Sequence, residues 1–402
     1  MTTPSIVLVL GSLLAAAMYF RPRLLKAPAW RATVTPLASI IGSGFLIAGP
    51  ILSLAAGTLA WLAMLGLCLI GYLFGEAIRA NIIHVEPELK ATPARLTRWV
   101  ERMSDVVLSL AYFLSVAYYL NLFAAFALRL GAVVDSFWIR VVATVVIGGI
   151  GLIGLSGGLR ALERLEVLAV GLKLSVIAGL FAALGLATFT SLGSGSLVWT
   201  APSHPHGLRE LRVLLGLVIL VQGFETSRYL GAAYSPEMRV KTMRWAQLIS
   251  TAIYLVFILL ITGYFTDSPP AEEATAIIDM LAPLGLAVAP MIILAALASQ
   301  LSAAVADTNG AGGLLSEASD RRLPVNIGNA LTAVAAIAIT WTADLLQIVA
   351  YASQAFVAYY ALQCLQASSS AYRRGRLGAS VFFGIAAGLA VAVVVFAIPA
   401  SA

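Results

Sequence analysis

The 402-residue sequence predicts an all-α integral membrane protein of twelve transmembrane helices, built as a five-plus-five inverted repeat with discontinuous first and sixth core helices. Three observations carry this expectation. The composition is 60% hydrophobic and 11% charged, with a mean hydropathy of +0.95, more apolar than a soluble globular domain sustains. Apolar runs of about 17 to 28 residues recur along the chain, the length a helix needs to cross about 30 Å of hydrocarbon. Two of these runs, five segments apart, have glycine-marked polar centres, and an odd number of segments per half gives the halves opposite orientation.

The runs fall at about 4–20, 32–56, 58–80, 104–128, 138–157, 165–190, 211–233, 245–266, 283–308, 325–343, 345–367 and 378–399. If they alternate from an outside N-terminus, twenty of the 25 basic residues collect on one side. The positive-inside rule makes that side cytoplasmic and puts both termini outside, which suits a multi-pass protein of the cell's inner (cytoplasmic) membrane. The net charge of +6 is therefore accounted for by topology, and no nucleic-acid partner is expected. Four regions follow: a peripheral helix and basic linker over 1–31, first and second repeats over 32–190 and 191–367, and a peripheral C-terminal helix over 368–402.

Segment 4–20 has few polar residues and reads as a lipid-facing anchor. The next begins the chain's most unusual stretch, Ala38 to Pro50, in which Gly42-Ser43-Gly44 and Gly49-Pro50 make a poor continuous helix. Backbone freed at membrane depth must find partners, so the triplet is either the lip of a buried site or a close helix crossing. Glu76 and Arg79 lie where the following helix reaches the inner boundary and can snorkel. Residues 86–102 suit a helix lying on the inner surface or a solvated connector. Tyr112, Ser115 and Tyr119 share one face of segment 104–128, as a cavity lining or an interhelical hydrogen-bond patch.

Lys173 sits about two turns inside its segment, at a cost of about 3 kcal/mol by insertion scales, which asks for snorkelling or a function. His204 and His206 lack ligand-type partners at metal spacing and read as loop. Segment 211–233 places Gln222, Gly223 and Glu225 near mid-membrane, where a carboxylate is either functional or paired with Arg228 one turn away. Ser299 and Ser302 share a face of segment 283–308, and Asp307 lies near its solvated inner end. Tyr351 to Phe356 is a further polar patch. Cys68 and Cys364 lie in apolar runs, so neither a disulfide framework nor a zinc motif is expected, and no cofactor or metal is implied. Lys173, Glu225 and Asp307 are too scattered for an intramembrane enzyme.

Ile41-Gly42-Ser43-Gly44-Phe45 with Ala48-Gly49-Pro50 resembles the first-helix signature of the amino acid, polyamine and organocation (APC) transporter superfamily. Gly223-Phe224-Glu225 with Pro236 and Arg239 is similar to its sixth-helix signature, and Asp320 with Leu323-Pro324 resembles the end of its eighth helix. The likeness covers about 32–376. It departs at Ala232-Ala233, where the family has a Glu-Glu pair, at Gly310 to Gly313, where it has an arginine, and in the extra N-terminal helix.

The resemblance implies a leucine-transporter-like fold and alternating access. Amides around Ile41, Gly42, Ser43 and Gly44 would hold a substrate carboxylate, and carbonyls freed over Ile219, Leu220, Val221 and Gln222 its ammonium. Selectivity would fall to Tyr119, Val221, Gln222, Phe224, Ser299 and Gln354, an apolar to mildly polar set that favours a neutral amino acid. Lys173 would replace a sodium ion beside Ser299 and Ser302, with Glu225 as second proton carrier. The expected partners are a small-molecule substrate, protons and the bilayer, with oligomeric state open. Alternatives are a polyamine, nucleobase or other organic-solute carrier, an amino acid exchanger, and a non-transporting sensor or channel.

Overall fold

The computed structural model describes residues 2–399 except Ser43, Thr92, 132–134, 157–158, 195–206 and 265–274, and leaves the side chains of 159–167 and Ala232 undescribed. His204 and His206 lie outside the described residues, among which there are no strands. Each predicted apolar run contains helix among its described residues, and nine helical stretches among the described residues are long and apolar enough to cross a membrane.

After α1 (Thr3–Tyr19) and a short α2 (Pro22–Lys26), the first interrupted span is α3 (Pro28–Ile40) followed by α4 (Gly44–Ala56). Long helices α5 (Ala60–Lys90), α6 (Arg95–Arg129), α7 (Ser136–Leu155) and α8 (Leu159–Gly193) complete the first part. The second interrupted span opens with α9 (Leu208–Leu215) and continues as 3-10 helix over Val218–Val221 and Phe224–Ala232. Then come α10 (Pro236–Thr262), α11 (Ala276–Leu281), α12 (Val288–Ala318), α13 (Val325–Thr342), α14 (Leu345–Arg373) and α15 (Leu377–Phe396).

Local chemistry sets several ends. Ser235 caps α10 ahead of Pro236 at its first position, and Asp344 and Gln347 close a reciprocal capping box on α14 at 2.8 and 3.1 Å. In the core, α6 packs on α12 and α14, α8 packs on α12, and α10 packs on α3 and α5. The two interrupted spans thread between these scaffolding helices.

Four expectations need correction. No separate helix occupies 86–102: α5 and α6 continue beyond the apolar runs 58–80 and 104–128, and Glu86, Glu88 and Glu101 pair with Arg239, Arg373 and Arg228 from other helices. Arg79 does not snorkel to water. It is 2% exposed, bonded to Glu76 at 2.7 Å and to the Gln247 carboxamide. Nor is α1 wholly lipid-facing. Leu10, Leu13 and Leu14 are exposed, but Ser5, Leu8 and Ser12 are buried where it packs along α8, and Thr2 and Ser5 donate hydroxyls to the Leu284 carbonyl at 2.7 and 3.1 Å. Asp307 is buried rather than solvated, because the Ser115 hydroxyl of α6 donates to it.

Candidate functional site

The site begins where α3 ends. The Ile41 amide still reaches Leu37 (3.0 Å), but the Gly42 amide tightens onto Ser39 (3.1 Å), leaving the carbonyls of Ala38, Ile40 and Gly42 without a helical partner. Side chains from three other helices supply donors. The Lys173 ammonium donates to Ala38 at 2.9 Å and to the Ser299 hydroxyl at 3.2 Å, and Ser299 donates to Gly42 at 3.2 Å. The single Tyr254 hydroxyl hydrogen is shared between Ile40 (2.9 Å) and Leu220 (2.6 Å), joining one break to the other.

The second break is set by Gly223, whose φ of +114° lies in the region that disfavours side chains. Its amide donates to Glu225 Oε2 at 2.9 Å, and Tyr360 donates to the same oxygen at 2.8 Å. Ser353 bridges the start of the break, accepting from the Ile219 amide at 2.9 Å and donating to Gly216 at 2.7 Å. Gln222 donates to the Tyr119 hydroxyl at 3.2 Å, and Phe224 stacks on Tyr360 at 4.9 Å. Gly44 closes the two breaks on one another, since a Cβ there would come within 2.8 Å of the Leu220 backbone.

Two acceptors in this cluster, Gln222 Oε1 and Glu225 Oε1, are buried without a hydrogen-bond partner. Buried polar atoms are nearly always satisfied, so this pair invites a donor from outside the chain. Two cavities flank Lys173. One, of about 20 Å³, is apolar and bounded by Ile41, Gly42 and Phe45; the other, of about 30 Å³, has Ser39, Thr226, Ser302 and Asp307 in its wall. Among the described residues no cluster of three or more His, Cys, Asp or Glu side chains could hold a metal ion.

The structure thus brings together Ile41, Gly42, Gly44, Tyr119, Lys173, Ile219, Leu220, Val221, Gln222, Phe224, Glu225 and Ser299, all of them buried or lining these breaks. Ser43 lies outside the described residues. Gln354 is not brought in: its carboxamide donates to the carbonyls of Val394 and Ala397, at the end of α15, at 3.2 and 3.1 Å. The neighbouring Ser353 takes the place expected of it. Arg228 does not pair with Glu225. It turns instead to Glu101 at 2.7 and 2.9 Å and to Gln363 at 2.7 Å. Sequence reasoning singled out neither Tyr254 nor Tyr360, and reached Ser353 only as part of the polar patch Tyr351 to Phe356.

A substrate-bound, outward-open Na+-coupled sialic acid symporter shares this fold, with a TM-score of 0.56 at 13% identity, over 98% of this chain and 96% of that one. An uncharacterized protein of Aquifex aeolicus (strain VF5) is 40% identical over 352 residues, which is 86% of this chain and 85% of that protein. The family model for an APC superfamily transporter matches residues 22–397. With paired helix breaks at its centre and a family match over nearly its whole length, the chain belongs to the APC superfamily and is a multi-pass membrane transporter.

Proposed function

We propose that the chain is a proton-coupled secondary transporter that carries a small zwitterionic solute, a neutral amino acid, by alternating access. The observation that carries this reading is the seat of the Lys173 ammonium on the Ala38 carbonyl and the Ser299 hydroxyl. A cation placed there holds the cytoplasmic half of the first interrupted span against α8 and α12. Taking a proton on or off that amine changes the strength of the contact, which links protonation to the geometry of the break. Sodium coupling, stated for the sialic acid symporter, would need a metal ion at an equivalent position, and here an amine already fills the one beside Ala38.

The solute would lie between the breaks, its carboxylate toward the amides that open α4 and its ammonium toward the buried acceptors Gln222 Oε1 and Glu225 Oε1. Tyr119, Val221 and Phe224 would bound its side chain, a mostly apolar surface that suits a neutral amino acid better than a polyamine. Residues 32–190 and 191–367 would form the two inverted repeats, 1–31 and 368–402 the peripheral parts, in the cytoplasmic membrane with both termini outside.

The test is uptake of labelled L-alanine, L-leucine and L-phenylalanine into vesicles holding the purified full-length protein. Acid outside should drive accumulation, because an inward proton gradient loads Lys173 on the outer side. Lys173→Ala should lower that gradient-driven uptake by about tenfold or more, the size of a coupling near 1.4 kcal/mol, while leaving solute exchange measurable. Wild-type uptake that ignores the pH gradient would refute the coupling.

A further inference from the structure

We propose that Asp307 accepts the coupling proton from Lys173 and passes it to the cytoplasmic side, an inference that rests on the proton-coupled reading above. Lys173 and Asp307 line the same cavity, whose volume of about 30 Å³ exceeds the roughly 10–15 Å³ that one water needs and whose wall also holds Thr35, Ser39, Thr226, Ser299 and Ser302. Ser299, Ser302, Ala303, Ala306 and Asp307 recur at helical spacing along the cavity wall of α12. Ser299 touches the Lys173 ammonium, and Asp307 follows eight residues later, about 12 Å along the axis at 1.5 Å per residue. The displacement runs toward the end of α12 that leads to Arg321 and Arg322, the basic side of the molecule.

The transfer conserves charge inside the cavity. An Nζ–H bond of Lys173 breaks and an Oδ–H bond of Asp307 forms, with waters and the Ser302 hydroxyl as intermediaries. The pair passes from ammonium and carboxylate to amine and carboxylic acid, so neither charge is left buried alone. Release from Asp307 to cytoplasmic water then breaks the Oδ–H bond, and a new Nζ–H bond formed on Lys173 with a proton from the outer side restores the ammonium–carboxylate pair and completes the cycle.

The surroundings of Asp307 agree with this role. Ser115 of α6 donates its hydroxyl to the carboxyl group, and the same helix carries the buried Tyr112 and Tyr119. From α8 comes Lys173, from α3 Thr35 and Ser39, and from the second interrupted span Thr226. Packed alongside, α13 has no titratable residue. Glu225 does not line the cavity, and one of its oxygens is held by Gly223 and Tyr360.

The experiment is an infrared pH titration of the full-length protein in vesicles, with aspartate carbon-13 labelled at the carboxyl group and no solute added. With Asp105, the other buried aspartate among the described residues, replaced by Asn, the protein should show a protonated aspartic acid stretch that disappears at the highest pH of any aspartate, and Asp307→Asn should remove that component. Lys173→Met should move its midpoint by about one pH unit or more, the effect of a nearby opposite charge, and Glu225→Gln should leave it in place. Asp307→Glu, made with labelled glutamate, keeps a titrating acid and serves if Asp307→Asn fails to fold. Survival of that highest-pH component in Asp307→Asn, or a midpoint indifferent to Lys173→Met, overturns the proposal. Uptake that ignores the pH gradient would remove the proton-coupled reading without altering this titration, so the two failures are distinguishable.

Discussion

Tyr254 has one hydroxyl hydrogen and two backbone carbonyls to serve, Ile40 and Leu220, and it lies fully buried between the two interrupted spans. Tyr254→Phe keeps the ring, with its place against Phe45, and removes only the donor. Two buried acceptors lose their partner, at a cost of about 1–3 kcal/mol, which should lower the melting temperature in detergent. An unchanged melting temperature would mean that water or a rearranged side chain takes over. The same residue marks how far the sequence could be read. Lys173 was legible because a charge at membrane depth must have a reason. Tyr254 was not, because its partners are main-chain atoms that no side-chain pattern announces, one of them 214 positions away. Ser353 and Gln354 differ by one position, or about 100° around a helix, and a polar patch alone does not tell which of them faces inward.

At the scale of elements, the second interrupted span is anchored toward its C-terminal end by a paired-charge network. Arg228 meets Glu101 and Gln363, Arg239 meets Glu86 at 2.6 Å, and Arg239 also donates to the Arg228 carbonyl at 2.8 Å. Arg228 and Arg239 are nearly sealed from solvent, while the two glutamates keep partial exposure. In a double-mutant cycle of Arg228→Gln with Glu101→Gln, a coupling of about 1–3 kcal/mol is expected by thermal denaturation. Additive effects would show the pair to be incidental. Both glycine breaks were readable from the sequence, since Gly and Pro weaken a helix wherever they occur. The inner ion pairs were not, and for that reason residues 86–102 read as a separate surface element: Glu86, Glu88 and Glu101 look solvated until the arginines of other helices are placed beside them.

For the molecule as a whole, apolar runs and the asymmetry of basic residues gave the helices and their order, while the packing of α1 along α8 came only with coordinates. Lys173 lies on α8, so the N-terminal helix braces the element that carries the proposed coupling residue. Removing residues 1–20 should weaken the fold and alter pH-driven uptake more than solute exchange, measured in the same vesicles. Equal loss of both would assign α1 to folding alone. The predicted orientation has its own check: a cysteine at Ser401 should react with a membrane-impermeant maleimide on intact cells if the C-terminus is outside.

The stretch Phe224–Ala232 is wound as 3-10 helix for nine residues, well beyond the three or four usual for that winding. At about 2.0 Å per residue against about 1.5 Å for an α-helix, it is longer by about 4.5 Å than the same residues wound conventionally. Rewinding would shorten it by nearly one α-helical pitch and draw the Pro236 end toward Gly223. The segment can therefore change its length by changing its winding alone, with Gly223 and Pro236 marking the two ends between which that change is taken up.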